Sequence, residues 1–313
     1  MDGPVWLPAA ADALTRAECL MFHAGAGLGV DSGLPDFRGP QGFWRAYPPM
    51  ERLGLSLADV SCPRSFERDP AFGWGFFGHR YQLYCAATPH EGYHIMRRWG
   101  QAAALGHAVF TSNVDGHFLR AGFDEARVVE RHGSIHFLQA FDDSLCSDVW
   151  PAADSLSELC VDPVTFIAAG PLPACPGGTL ARPNILMFGD WGWVSRRTDD
   201  QLDRHAKFLD SIPRRARVVV VEVGAGSAVT TVRHQSAAIL LRFPNAVLLR
   251  INPSEPGGGP RTIPIPMGGR EALEMLDACV TGAGGIGSRP GEGKPFPGSL
   301  PRALCAEQGI GYE

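Results

Sequence analysis

Two glycines follow the first apolar segment of the chain, in the sequence Gly25-Ala26-Gly27. Glycines at the end of a strand let the backbone approach a diphosphate, and a following helix amino-terminus favours its negative charge. A dinucleotide-binding loop has a third glycine three residues later, where this chain has Val30. The loop continues instead into a polar, proline-containing stretch over residues 31–38, so an ordinary tight turn stays open as the alternative.

More short polar or glycine-rich stretches follow apolar segments further along the chain. They contain Asn113 and Asp115, then His132, then Gly224-Ala225-Gly226, and finally Asn252. A histidine can accept a proton near neutral pH, because its unperturbed pKa is about 6.5. Open α/β sheets bind ligands at the carboxyl ends of their strands, so we expect these residues to surround one extended ligand with a diphosphate and two riboses.

The segments that position these residues have the pattern of a parallel sheet between helices. We predict strands at residues 19–23, 108–112, 127–130, 184–188, 217–223 and 246–251. Several are continuous apolar runs, which are typical of strands covered on both faces. Helical spacing of apolar residues recurs between them, so the sequence predicts an α/β fold with a Rossmann-like, doubly wound parallel sheet.

Two regions interrupt this alternation, and we expect them to form a smaller lobe beside the sheet. Residues 40–100 are rich in aromatic and turn residues, and residues 133–183 are rich in Pro, Cys and Asp. The larger lobe then comprises residues 12–39, 101–132 and 184–280. One domain is predicted over residues 1–280, followed by a flexible Gly/Pro-rich tail over 281–313.

The composition of the 313 residues argues against two classes of partner. The net charge is −5 and no long basic run is present, which disfavours nucleic-acid binding. No apolar stretch is long enough to span a membrane, and the first residues lack the pattern of a signal peptide. We therefore expect a cytoplasmic protein whose eight cysteines are thiols.

The order of the motifs resembles that of the sirtuin (Sir2) family of NAD-dependent protein deacylases. GAGLGVDSGLPDFRG is similar to that family's glycine and Pro-Asp-Phe-Arg loop, TSNVDGHF to its Asn-Ile-Asp segment, and HGS to its catalytic histidine motif. RPNILMFGD resembles its substrate strand, VGAGSAV stands at its Gly-Thr-Ser turn, and INPSE matches its last nucleotide-binding strand. The resemblance runs in the right order over about residues 15–280.

The resemblance implies roles for individual residues. The catalytic residues would be His132, as general base, with Asn113 and Asp115 near the nicotinamide. The NAD-binding residues would be Gly25, Ala26, Gly27, Asp36, Phe37, Arg38, Ser112, Asn113, Asp115, His132, Gly224, Ala225, Gly226 and Asn252. Met187, Phe188, Gly189, Asp190 and Trp191 would line the channel for an acyl-lysine of a protein or peptide. Phe37 would shield the reactive ribose carbon from water.

The implied reaction consumes NAD. The acyl oxygen attacks the ribose carbon as nicotinamide leaves, and His132 takes a proton from a ribose hydroxyl, which then attacks the acyl carbon. The products are the free amine, nicotinamide and O-acyl-ADP-ribose.

The chain departs from the family in its zinc module. The family has two Cys-x-x-Cys pairs between the histidine motif and the substrate strand, and a structural zinc needs four such ligands. Here the interval holds only Cys146, Cys160 and Cys175, and His136 has the wrong spacing for a fourth ligand. We therefore expect no metal and a lobe held by apolar packing. Ser112 also stands at the family's Gln, and Asp190 at its Glu.

Three other functions stay open at this point. The same ribose carbon could be attacked by another nucleophile or by water, as in an ADP-ribosyltransferase or an NAD glycohydrolase. The substrate could be a small acylated metabolite, which a shortened zinc-free lobe would suit. The chain could also bind NAD without turnover, although the presence of Asn113, Asp115 and His132 together argues against this. His132 favours deacylation over transfer or hydrolysis, because the second half of deacylation needs a base.

Overall fold

The structure is a computed structural model that describes residues 3–36, 39–144, 146–175 and 177–288. Its helices are α1 (Leu7–Thr15), α2 (Gly39–Ala46), α3 (Pro48–Arg52), α4 (Leu57–Val60), α5 (Pro63–Arg68), α6 (Pro70–Ala86), α7 (Glu91–Ala102), α8 (His117–Arg120), α9 (Arg196–Ser211), α10 (Thr231–Arg242) and α11 (Gly269–Gly282), with 3-10 helices at Ala26–Ser32 and Glu125–Arg127. Its strands are β1 (Cys19–Ala24), β2 (His107–Thr111), β3 (Val128–Glu130), β4 (Gly133–Ala140), β5 (Val149–Pro151), β6 (Cys160–Val161), β7 (Ala168–Ala169), β8 (Ala181–Ile185), β9 (Val218–Val223), β10 (Val247–Ile251) and β11 (Thr262–Ile265). Among these helices, none is long and apolar enough to cross a membrane. The predicted tail lies outside the described residues from 289 onward.

A six-stranded, all-parallel sheet forms the larger lobe, in the order β3-β2-β1-β9-β10-β11. This is the strand order of a Rossmann fold, and it reverses between β1 and β9. Ala24, the last residue of β1, pairs with Thr111 and Val223, the last residues of β2 and β9. The loops after these three strands therefore begin at the same level of the sheet edge. The predicted fold class is confirmed.

Apolar side chains cover both faces of this sheet. On one face, α1, α7 and α11 share a core with Leu20 and Phe22 of β1. On the other face, α9 and α10 share a core with Cys19 and Met21. Burial on both sides explains the continuous apolar run in the sequence. Residues of α7 (Glu91–Ala102) therefore pack in the core beside the parallel sheet, although the sequence analysis assigned residues up to 100 to the smaller lobe.

The smaller lobe is built around an aromatic core. Phe43, Tyr47 and Trp74 from α2 to α6 are buried with residues of β4 and β8. Trp74 Nε1 donates a hydrogen bond to the carbonyl of Ala181, at 2.9 Å. An antiparallel sheet in the order β5-β4-β8 and the β6-β7 pair complete the lobe. Residues from α2 to α6 thus pack against residues of β4 and β8, and the division of the chain into two lobes at the proposed bounds stays a prediction.

Two strands differ from the prediction. The segment at 184–188 was expected in the parallel sheet, but β8 ends at Ile185 and pairs antiparallel with β4 in the smaller lobe. The sixth strand of the parallel sheet is β11, which was not predicted. It contains Pro264 and lies at the sheet edge, where a missing backbone donor is tolerated.

Candidate active site

A cavity of about 430 Å³ opens where the strand order of the parallel sheet reverses. Its wall combines the loops after β1, β2, β3 and β9 with residues of the smaller lobe. The predicted site residues that line it are Gly25, Ala26, Gly27, Asp36, Ser112, Asn113, Asp115, His132, Met187, Phe188, Gly224, Ala225 and Gly226. Folding therefore brings most of the candidates into one site.

The glycine loops after β1 and β9 contact each other through their backbones. Gly27 N donates to Gly224 O at 3.1 Å, and Gly25 N donates to Val223 O at 3.0 Å. A Cβ on Gly25 would lie 2.7 Å from Gly224 O, and a Cβ on Gly27 would lie 2.8 Å from Gly224 Cα. This spacing leaves no room for a side chain. The backbones of residues 25–27 and 224–226 therefore form a surface that a diphosphate can approach closely, which we call the glycine floor.

The 3-10 helix Ala26–Ser32, which leads away from this floor, is anchored by two helices. The backbone N–H of His90, at the start of α7, donates to Ser32 Oγ at 3.0 Å. The backbone N–H of Arg270, at the start of α11, donates to Asp31 Oδ2 at 2.8 Å. The first half of the polar loop noted in the sequence is therefore fixed to the larger lobe.

The second half of that loop reaches toward the smaller lobe. Leu34 is buried in the aromatic core, and Asp36 lines the cavity. Phe37 and Arg38 lie outside the described residues, so their roles in cofactor binding stay predictions.

His132 lies on the turn after β3, and its imidazole lines the cavity. The turn requires Gly133, whose φ is 77° and whose Cβ would lie 2.1 Å from Asn184 O. Burial, aided by the charge of Arg131, lowers the pKa of His132 to about 4, although a hydrogen bond to the backbone of Ser112 raises it. The imidazole is therefore neutral at pH 7 and can accept a proton.

This lowered pKa predicts a wide pH range for any reaction that uses His132 as a base. The base must be neutral, and it is lost only as the pH falls through about 4. The unperturbed pKa of a histidine is about 6.5. We expect the acid side of the kcat/KM profile to have its midpoint well below that pH. A profile measured with an acyl-lysine peptide tests this, and a midpoint at the ordinary value would contradict it.

Asn113 and Asp115 lie on the loop after β2 and offer groups that suit a carboxamide ligand. The Nδ2 atom of Asn113 is buried and has no hydrogen-bond partner among the described residues. Burial raises the pKa of Asp115, although its Oδ1 accepts the N–H of His117 at 2.9 Å. A buried donor without a partner among the described residues is costly, and because Asn113 lines the cavity, a bound ligand could satisfy this one.

The segment after β8 lies only partly in the cavity wall. Met187 and Phe188 line the cavity, and their contact with an acyl-lysine stays a prediction. Gly189 and Asp190 stand outside this lining, and the Trp191 side chain is 98% exposed to solvent. The substrate contacts expected of these last three residues stay predictions.

The backbone of this segment has few donors left for a peptide. Its N–H groups already donate within the chain, Leu186 to His132 O, Met187 to Asp190 Oδ2, and Phe188 to Ser61 O. At residues 186–188 an extended peptide can therefore pair only with the backbone carbonyl groups.

Asp190 instead forms a buried ion pair with Arg182. The Nη2–Oδ2 distance is 2.9 Å, and the two side chains are 1% and 0% exposed. The carboxylate also accepts the N–H groups of Met187 and Gly192, both at 3.2 Å. Asp190 thus positions the turn that presents Met187 to the cavity.

Replacing Asp190 with alanine should destabilise the protein strongly. The guanidinium of Arg182 would stay buried without its counter-charge, and we expect a loss of about 3–5 kcal/mol in unfolding free energy. Urea denaturation measures the loss. The double variant Arg182→Met/Asp190→Leu should recover most of it, because no charge is left unpaired. A loss below about 1 kcal/mol for D190A would contradict the importance of this pair.

Asn252, predicted to bind the cofactor, supports the glycine floor through a hydrogen bond to Ala225. Its buried Nδ2 donates to Ala225 O at 2.9 Å. Its Oδ1 accepts the N–H groups of Ser254 and Glu255, at 3.1 and 3.0 Å. It does not line the cavity, and it fixes the loop after β9 relative to the loop after β10.

The residues weighed as zinc ligands do not converge. Cys160 is exposed on β6, and Cys175 Sγ lies 2.8 Å from Thr179 Oγ1. His136 Nε2 donates to the Asp115 carbonyl at 2.9 Å, so it supports the loop after β2. The described part of the chain contains no group of three His, Cys, Asp or Glu side chains that could hold a metal.

We accordingly predict that a chelator leaves the stability of the smaller lobe unchanged. Apolar packing in the aromatic core stabilises the smaller lobe, whereas small zinc-binding domains take this stability from the bound metal. Thermal unfolding with and without EDTA tests this. A drop in Tm on EDTA treatment that added Zn²⁺ reverses would contradict it.

Several cavity residues were missed in the sequence, namely Leu57, Arg80, Tyr84, Val229 and Val232. Arg80 and Tyr84 lie four residues apart on α6, and the guanidinium donates to the Tyr84 hydroxyl at 2.8 Å. The available signal was a single arginine within an aromatic, glycine-containing stretch.

The chain is similar in sequence to a family of known proteins. A family model described as Sir2 family matches residues 25–207. An NAD-dependent protein deacetylase of Saccharolobus solfataricus is 31% identical over 181 residues, which cover 58% of this chain and 64% of that protein. An NAD-dependent protein deacylase of Deinococcus radiodurans is 32% identical over 182 residues, which cover 57% and 65%. The chain thus spans slightly less than two thirds of these relatives.

Solved structures show the same fold. A mutant Sir2 homologue bound to ADP-ribose has a TM-score of 0.65 at 23% identity, covering 90% of this chain and 98% of that chain. A Sir2 homologue in complex with NAD has a TM-score of 0.63 at 22% identity, covering 88% and 94%. At this identity the similarity supports the fold alone, and it agrees with the strand order of the parallel sheet.

Proposed function

The chain belongs to the Sir2 family, whose model covers more than half of its residues, and we propose that it is an NAD-consuming deacylase of lysine side chains. The observation that carries the proposal is the placement of His132. Its neutral imidazole lines the same cavity as the bare glycine floor. A base beside a diphosphate-binding floor is what the acyl-transfer half of the reaction needs.

The residues of the cavity fit NAD at three points. The glycine floor has no room for a Cβ and offers backbone to a diphosphate. The unpartnered Nδ2 of Asn113, with Asp115 nearby in sequence, suits the carboxamide of nicotinamide. His132 is the proton acceptor for a ribose hydroxyl. Bound NAD would supply an electrophilic ribose carbon and nicotinamide as the leaving group.

The protein residues then have separable tasks. Asn113 and Asp115 bind the carboxamide, while His132 takes a proton from the ribose hydroxyl that attacks the acyl carbon. Leu34 and Met187 line the cavity with apolar surface and limit the access of water.

The substrate that we propose is an acylated lysine in a protein or peptide. Met187 and Phe188 provide an apolar wall for the acyl-lysine stem. The relatives are named as protein deacylases, and one Sir2 structure of the same fold holds a deacetylated peptide with 3′-O-acetyl-ADP-ribose. The shortage of backbone donors in residues 186–188 favours recognition of the side chain over extensive pairing with the peptide backbone.

Mass spectrometry of the products tests this function. The protein is incubated with NAD and a library of acyl-lysine peptides, with His132→Ala as the control. We expect nicotinamide, deacylated peptide and O-acyl-ADP-ribose, and the last two should require His132. Plain ADP-ribose would identify an NAD glycohydrolase, and a peptide gaining ADP-ribose would identify a transferase. If the protein deacylates small acylated amines but none of the peptides, the substrate is a small metabolite and not a protein.

A further inference from the structure

A hydroxyl from another element reaches the imidazole of His132. The Nε2 atom lies 3.3 Å from Oγ1 of Thr231, which is the first residue of α10. Thr231 stands between Val229 and Val232, both of which line the cavity. Thr231 itself is not among the lining residues, so its hydroxyl contacts the ring of His132 from just behind the cavity lining.

The direction of this hydrogen bond follows from the second contact of the ring. The bond between His132 and the backbone of Ser112 favours the protonated imidazole, so the ring donates in it and the Ser112 carbonyl accepts. Because Nε2 faces Thr231, we infer that Nδ1 is the nitrogen that carries the proton toward the Ser112 backbone. A neutral ring with its proton on Nδ1 has a lone pair on Nε2, and the Thr231 hydroxyl donates to that lone pair.

We propose that Thr231 is a positioning residue for His132, which holds the imidazole with its Nε2 lone pair at the cavity wall. This inference rests on the proposed function, in which Nε2 accepts the proton of a ribose hydroxyl. The ring is held at Nε2 by α10 through Thr231, and the backbone of Ser112, which follows β2, favours a proton on the other ring nitrogen. Its rotation is restricted before any ligand arrives.

The length of the Thr231 contact suits this role. Hydrogen bonds to nitrogen usually have heavy-atom distances near 2.9 Å, whereas this one is 3.3 Å and correspondingly weak. A ribose hydroxyl that approaches more closely can take over the lone pair at small cost. Thr231 therefore orients the base without blocking it.

The role predicts that only one half of the reaction depends on Thr231. Nicotinamide leaves before the base acts, so exchange of labelled nicotinamide into NAD in the presence of acyl-peptide reports the first half alone. Release of O-acyl-ADP-ribose requires the proton transfer to His132. A misoriented imidazole slows the second process and not the first.

The test compares Thr231→Val, which keeps the shape and removes the hydroxyl, with Thr231→Ser, which keeps the hydroxyl. Thr230→Val is the matched control, because Thr230 is the exposed preceding residue. For T231V we expect kcat of deacylation to fall about three- to tenfold with the exchange rate within about twofold of the parent. T231S and T230V should resemble the parent protein. Equal losses in both assays, or no loss in either, would overturn the proposal.

A measurement on the NAD-free protein separates this inference from the function. Nitrogen-15 NMR of histidine-labelled protein reports the tautomer of His132, which the His132→Ala spectrum assigns. We expect the Nδ1-protonated form in the parent protein and in T231S, and a shift of the Nε2 signal in T231V. If no peptide is deacylated, the proposed function fails while this result still decides the role of Thr231. Identical ring spectra of the parent and T231V would refute the contact.

Discussion

His132→Ala should abolish formation of O-acyl-ADP-ribose while leaving the binding of NAD largely intact. The turn that carries His132 is held by Gly133 and by the backbone bond from Leu186, neither of which needs the imidazole. Removing the base should lower deacylation by about 10²–10⁴-fold, the usual range for a general base. The glycine floor and Asn113 remain, so nicotinamide exchange should continue.

Two quantities are measured for each variant: the rate of O-acyl-ADP-ribose formation, and the affinity for NAD by calorimetry. His234→Ala is the control, because His234 is an exposed histidine on α10 away from the cavity lining. Deacylation by H132A within about tenfold of the parent rate would show that another group acts as base.

Gly224→Ala should prevent NAD binding and also destabilise the larger lobe. Gly224 has a φ of 67°, which is unfavourable for alanine. An added Cβ would lie 2.3 Å from Leu28 N and 2.4 Å from Gly27 C, and both neighbours are backbone atoms that cannot move aside cheaply. The two glycine loops must separate, so the floor for the diphosphate is lost. We expect NAD affinity to fall by at least about 100-fold and the unfolding free energy to fall by roughly 2–4 kcal/mol.

Calorimetry with NAD and thermal unfolding measure the two effects. Gly268→Ala is the matched control, because a Cβ there meets nothing within 4 Å and φ is −62°. If G224A binds NAD as the parent does, the contact between the loops after β1 and β9 is not the binding floor.

The sequence by itself determined the parallel sheet and much of the candidate site. Apolar runs such as 217–223 are long, and they are buried on both faces, so their pattern is independent of their neighbours. Glycine loops and polar residues at strand ends predicted a ligand at the sheet edge, since parallel strands all end on the same side. The strand at Thr262–Ile265 was not predicted, because its proline argues against a strand in the middle of a sheet. The strand lies at the sheet edge, where a proline is tolerated.

The tertiary structure decided the parts that depend on pairing between distant segments. The apolar run at 184–188 has the same local pattern in either sheet, and only its pairing with β4 places it in the smaller lobe. Asp190 could equally have faced a substrate, but Arg182 lies within 2.9 Å and burial makes that pair too costly to break. The contact of Thr231 with His132 joins residues 99 positions apart. Local propensity carries no information about such contacts, because side-chain hydrogen bonds between elements form only when packing fixes both elements in place.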